Sequence, residues 1–162
     1  MYKACVRALM RYAVGKLNSG DPSLILQLAH PEATLSFPGD NSWSTMFRPV
    51  ELSRTAHVTH GGIDECAAFA QRFVDEGVQF EIEDILVNGP PWNTRVGLRV
   101  HSFIRGAPGK PDMYNNRALA LLTVRWGRLV EWEDYEDSER VAMWDASREP
   151  ATIGQEAQTV AL

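Results

Sequence analysis

Near the end of this chain two runs of alternating apolar and polar residues meet at Arg125-Trp126-Gly127-Arg128. Their period of two predicts strands over Tyr114–Arg125 and Arg128–Tyr135, folded back on each other as a hairpin. Gly127 supplies the positive φ that a tight turn needs. On the second strand the alternation puts Val130, Trp132 and Asp134 on one face and Glu131, Glu133 and Tyr135 on the other. A carboxylate in register with a valine and a tryptophan is a candidate for burial. Burial raises its pKa unless a partner compensates.

Earlier in the chain the period is helical. Val6, Leu9, Met10, Ala13, Val14 and Leu17 form one stripe over residues 3–18, which Asn18-Ser19-Gly20 ends. Asp21-Pro22 opens a short helix from Ser23 to about Ala29, stopped at His30-Pro31. A strand is predicted over 33–37, broken by Pro38-Gly39. Residues 41–61 show no sustained pattern and are expected to be a long, partly ordered loop, either surface packing or a lid or interface segment. A third helix spans about 63–76, with Gly77 just past its end. Strands then follow at 78–87 and 95–105, before the hairpin. A last short helix covers about 138–146.

Helices followed by a meander of long strands make an α+β plan: a curved antiparallel sheet wrapped around three helices, with an internal pocket. One domain is expected over residues 1–146, and residues 147–162, without periodicity, are expected to be a flexible tail. At 162 residues, 44% hydrophobic and 23% charged, the composition is that of a globular domain with an ordinary core. A net charge of −5 with no basic run argues against nucleic acid or an anionic membrane as partner. No apolar run reaches membrane-spanning length, and Met1–Arg7 does not read as a secretory signal. Cys5 and Cys66 sit in separate predicted helices without metal-ligand spacing, so a cytoplasmic location and no cofactor or metal are expected.

Three stretches carry a family resemblance: Leu17-Asn18-Ser19-Gly20-Asp21, Pro31-Glu32-Ala33 at the start of the first strand, and Gly127 to Asp137. Together with the order of elements, over about residues 3–146, they resemble the nuclear transport factor 2-like superfamily. The nearest branch is the SnoaL-like and limonene-epoxide hydrolase-like one. The resemblance implies an α+β cone, common pairing as a homodimer through the outer face of the sheet, and a small apolar molecule in the cone. The acidic and tyrosine positions of ketosteroid isomerases fall on Ala13, Phe37 and Ala120, which disfavours that chemistry. The hydrolase pattern of an Arg-x-Asp and a later Asp falls on Arg99-Val100-His101 and Asp134, with His101 where that family has an acid. In SnoaL-like polyketide cyclases, too, an acid near the end of the last strand matches Asp134.

Arg99 and His101 share a strand face by alternation. Paired in the family manner, that face is expected to look toward Asp134, with His101 in direct or one-water hydrogen-bond reach of it. A histidine oriented by a carboxylate is a general acid/base near neutral pH, and Arg99 would steady a negative charge. The bland alternative is a buried cluster that only satisfies its own charges. Trp132, Phe103, Asn115, Phe37 and Tyr12 are taken as substrate-binding residues, and the other acids of Glu131–Asp137 as a solvated rim. The expected function is cofactor-independent acid–base catalysis (hydrolase, isomerase or cyclase) on a small apolar substrate. A non-catalytic ligand-binding or dimerisation module is the alternative.

Overall fold

The structure, a computed structural model, describes residues 1–47 and 57–148. Its elements are α1 (Tyr2–Asn18), α2 (Ser23–Leu28), β1 (Ala29–Pro38), β2 (His57–Gly61), α3 (Ile63–Asp75), β3 (Val78–Asn88), β4 (Thr94–Ile104), β5 (Tyr114–Arg125), β6 (Arg128–Glu136) and α4 (Ser138–Ser147). The six strands form one curved sheet in the order β2-β1-β6-β5-β4-β3, an α+β fold. Every neighbouring pair is antiparallel except β1 with β6, which run parallel. The wholly antiparallel sheet expected from the sequence is thus corrected at that one pairing. Among the described residues no helix is long and apolar enough to cross a membrane. The tail expected over 147–162 falls outside the described residues from 149 onward.

Helix α1 buries Val6, Met10, Ala13, Val14 and Leu17, the stripe its sequence encodes. Val6 and Met10 pack on the inner face of β4 and β5, where Val96, Leu98, Val100, Ala120 and Leu122 are almost wholly buried, while Leu17 joins Phe73, Val78 and Ile104. The side chain of Asn18 fastens the end of α1 to β3, donating to the Phe80 carbonyl at 2.8 Å and accepting from the Phe80 amide at 2.9 Å. Both backbone groups of an edge-strand residue are thereby satisfied by one side-chain amide. Helix α3 lays Cys66, Phe69 and Phe73 against β1 and the cavity.

Two expectations about boundaries change. Strand β1 begins at Ala29, before His30-Pro31, so helix α2 ends slightly earlier than the sequence suggests. The stretch expected to be all loop contains β2, which pairs with β1 from Thr34↔Gly61 to Pro38↔His57. The middle of that stretch, 48–56, lies outside the described residues.

The β5–β6 hairpin forms as predicted, with Arg125 opposite Arg128 and positive φ at both Trp126 (51°) and Gly127 (79°). Two left-handed residues in a row define the turn whose twist matches paired strands. Just beyond it a β-bulge intervenes: Val124 pairs with Leu129 but Thr123 with Glu131, so Val130 is the extra residue. The bulge turns Leu129 inward beside Trp132 and Asp134 and removes Val130 from that face, where simple alternation had placed it. A second bulge in β3, at Glu83 between Ile82 and Asp84, bends the opposite side of the sheet. Bulges of this kind curl the sheet over the helices and leave a cavity beneath.

Candidate functional site

The cavity lies between α1, α2 and α3 on one side and the inner face of the sheet on the other. It holds about 110 Å³ of free space. At roughly 10–15 Å³ for each water by the same measure, that is room for several waters or one small ring system. Its walls are aromatic and aliphatic: Phe37 from β1, Phe69 and Phe73 from α3, Phe80 from β3, Tyr114 from β5, Trp132 from β6 and Trp144 from α4. Trp43, in the turn after β1, stacks near Phe69 at 6.2 Å and helps close the wall.

Into this apolar space project two carboxyls, Asp134 and Glu136, from successive inward positions of β6. Asp134 lies opposite Ala120 and Glu136 opposite Ala118, so neither acid meets a cross-strand polar partner. Oδ1 of Asp134 is buried with no hydrogen-bond partner. Burial pushes the Asp134 carboxyl up from the ordinary 3.8 to about 7, opposed by a hydrogen bond from the Trp132 side chain. Glu136 is pushed up to about 8, again chiefly by burial, then by the charges of Asp134, Asp145 and Asp137. Two carboxyls so close titrate as a pair and retain a proton near neutral pH. Above them, Tyr114 Oη accepts from Asn116 Nδ2 at 3.0 Å, and burial raises the phenol well above its ordinary value.

A polar clamp lies beside the wall residues Trp43, Glu76 and Trp144. Arg72 of α3 donates to the Ser42 carbonyl and to Ser42 Oγ, each at 2.6 Å, while its Nε donates to Glu76 at 2.7 Å. Asp145 of α4 accepts from the amide of Ser42 at 2.9 Å and from its hydroxyl at 2.6 Å. The Arg72 guanidinium lies 4.1 Å above the Trp43 ring. The start of the expected lid is therefore tied to two helices. Among the described residues no group of three His, Cys, Asp or Glu side chains is disposed to hold a metal ion.

Of the residues singled out from the sequence, the structure brings Asp134, Trp132 and Phe37 together on the cavity wall. It separates Arg99 and His101 from them. Both point from the outer face of β4, Arg99 to Glu83 at 3.0 Å and His101 to Glu81 at 3.7 Å. The inward face of β4 is the apolar row Val96, Leu98, Val100, continued by Ser102. The expected hydrogen bond between His101 and Asp134 does not form, because the sheet lies between them. Phe103 shares the outer face, its ring 5.1 Å from that of His101 and 4.9 Å from the Arg105 guanidinium. Tyr12 is 59% exposed on the far side of α1, where Ala13 takes the inward place. Asn115 is exposed, and its neighbour Asn116 is the buried one.

Two residues of the site, Glu136 and Trp144, were not expected from the sequence. Glu136 follows Asp134 by two positions, so the alternation that places Asp134 inward also applies to it. For Trp144 the only hint is its place among the apolar anchors of a short terminal helix.

A SnoaL-like domain matches residues 6–132, and the chain belongs to that family. Solved structures of the same nuclear transport factor 2-like fold superpose on it. One is a protein of unknown function from Cytophaga hutchinsonii, 13% identical, TM-score 0.56, covering 82% of this chain and 90% of its own. A second, from Jannaschia sp. CCS1 and provisionally named a SnoaL-like polyketide cyclase, is 14% identical with TM-score 0.56, covering 88% and 92%. A third, from Rhodopseudomonas palustris and provisionally named an isomerase, is 14% identical with TM-score 0.56, covering 88% and 93%. At these identities the likeness is one of fold. Curated proteins offer no match.

Proposed function

We propose that this protein is a cofactor-independent acid–base enzyme of the isomerase or cyclase type, acting on a small apolar substrate in the cone. Asp134 is the group that takes and returns the proton, and Glu136 is the second carboxyl of the pair. The observation that carries this reading is the unpartnered Oδ1 of Asp134 on the wall of an apolar cavity, with its pKa raised to about 7. A carboxyl at that value is partly ionised at the working pH, so it can accept a proton from carbon and give it back. The names given to the fold neighbours from Jannaschia and Rhodopseudomonas agree with such chemistry. Epoxide hydrolysis in the manner of limonene-epoxide hydrolase is not part of the proposal, because Arg99 and His101 stand on the other face of the sheet.

The test is solvent exchange. Small cyclic ketones are incubated with the protein in deuterium oxide, and incorporation of deuterium beside the carbonyl is followed by mass spectrometry. The wild type should accelerate exchange, and Asp134→Asn should lower the rate by about 10²–10⁴-fold. Equal rates for the two proteins would overturn the reading. Ligand binding unaltered by Asp134→Asn, without exchange in either, would favour a binding module.

A further inference from the structure

We propose that Trp144 is a ligand-binding residue whose indole N–H holds an oxygen of the bound molecule, so that the cavity selects ring compounds carrying a hydrogen-bond-accepting oxygen. The proposal rests on the reading of the cavity as a substrate site, and adds to it a donor and a ligand chemistry. The family match ends at residue 132, whereas Trp144 lies on α4, after it.

Two buried side-chain atoms among the described residues lack any partner, and they complement each other: the donor Trp144 Nε1 and the acceptor Asp134 Oδ1. Both residues line the same cavity. A buried indole N–H left unpaired costs stability, a cost that a purely hydrocarbon ring would not carry. An oxygen of the ligand restores the lost bond. Its apolar body replaces water against Phe37, Phe69, Phe73 and Trp132, and Asp134 is left beside the carbon framework.

The indole is held rather than loose. Helix α4 is capped by Asp137, whose side chain accepts from the amides of Glu139 and Arg140, and anchored by Val141, which is wholly buried. Asp145, next to Trp144, takes both bonds from Ser42. The Tyr114 ring lies 5.8 Å from the indole on one side, and the Arg148 guanidinium lies 5.7 Å above it. Because an indole does not ionise in the working range, it remains a donor whatever the charge on the two carboxyls.

The experiment compares three probes of one shape, 1-indanone, indane and 2-aminoindane, on the wild type and on Trp144→Phe. Binding is followed by calorimetry, the indole N–H by nitrogen-15 NMR, and the bound ketone by its infrared carbonyl stretch. The wild type should bind 1-indanone about tenfold more tightly than indane, the size expected of one hydrogen bond in a dry site. The Trp144 N–H resonance should move downfield and the carbonyl stretch should fall in frequency. Trp144→Phe should bring the affinities for 1-indanone and indane together and abolish the infrared shift. Equal affinities, an unmoved Trp144 resonance, a carbonyl shift that survives Trp144→Phe, or no binding of 1-indanone at all would each overturn the proposal. Tighter binding of 2-aminoindane than of the ketone would also overturn it, in favour of a cationic ligand paired with the carboxyls. If the Trp144 effects appear but deuterium exchange does not, the donor stands and the catalytic reading falls.

Discussion

Asp134 stands directly across the β5–β6 ladder from Ala120, and that alanine side chain offers no polar atom to the unpartnered Oδ1. A hydroxyl at position 120 would alter the balance. Hydrogen bonding to the ionised form lowers a carboxyl pKa, so Ala120→Ser should bring Asp134 down from about 7 toward the ordinary value. Carbon-13 NMR titration of the aspartate carboxyl would show the change, and an unmoved midpoint would refute it. Any catalysis that needs a base near neutrality should move to lower pH in the same variant.

Stability should depend on pH with a sign set by these two acids. Both hold protons more tightly in the folded chain, at about 7 and about 8, than at their ordinary 3.8 and 4.5. Their contribution is therefore fully present below about pH 4. It is lost as pH rises through the folded values, and flat above them. Asp134→Asn removes one such group. The variant should match the wild type near pH 4 and exceed it near pH 9. The gain should be a few kcal/mol, since a pKa raised tenfold in proton affinity corresponds to about 1.4 kcal/mol. Urea unfolding across that range would decide, and a wild type more stable at pH 9 than at pH 4 would contradict the buried pair.

Trp132 lines both the aromatic cavity and a second one, between α1 and the inner sheet, that Val6, Met10 and Leu122 help to line. Trp132→Ala should join the two spaces. The cost in stability is expected to be about 3–5 kcal/mol, as for other large-to-small core changes. The enlarged cavity should accept longer apolar ligands that the wild type excludes. A xenon-pressurised crystal of the variant showing two separate sites would disprove the joining.

We propose dimerisation through the outer face of the sheet. Leu86 (63% exposed) and Leu119 (41%) lie there on either side of Gly97, whose missing side chain leaves the patch flat. Trp92 and Trp126 stand exposed at the strand ends, 5.9 Å apart. Sedimentation at micromolar concentration should show a dimer that Leu119→Lys weakens. A monomer at all concentrations would rule it out.

The parts of this fold that are legible in the sequence are the local ones. The stripe of α1, the turn at Trp126-Gly127 and the inward place of Asp134 each follow from a few neighbouring residues. Strand β2 is not legible, because only its pairing with β1, some 25 residues away, gives it an extended form. Val130 leaves its expected face because a single inserted residue shifts the alternation, and nothing local announces a bulge. Arg99 and His101 differ from the expectation for another reason. The row Val96-x-Leu98-x-Val100 marks the inward face of β4, and this local alternation prevails over the hydrolase pattern that would turn Arg99 and His101 inward. Glu136 obeys the same period as Asp134 and so leaves the solvated rim. Its burial comes from the cavity's far wall, where Phe73 of α3 and Trp144 of α4 close the space.

The parallel pairing of β1 with β6 has a kinetic consequence. The last strand among the described residues, β6, enters the middle of the sheet, joining the β3–β4–β5 meander to the β1–β2 ribbon encoded far earlier in the chain. Closing so long a loop is entropically expensive and slow. Until β6 is available, one edge of the β1–β2 ribbon has no strand to pair with. The strand that carries Asp134 is the piece that joins the two parts, so the cavity wall it supplies depends on a pairing between distant parts of the chain.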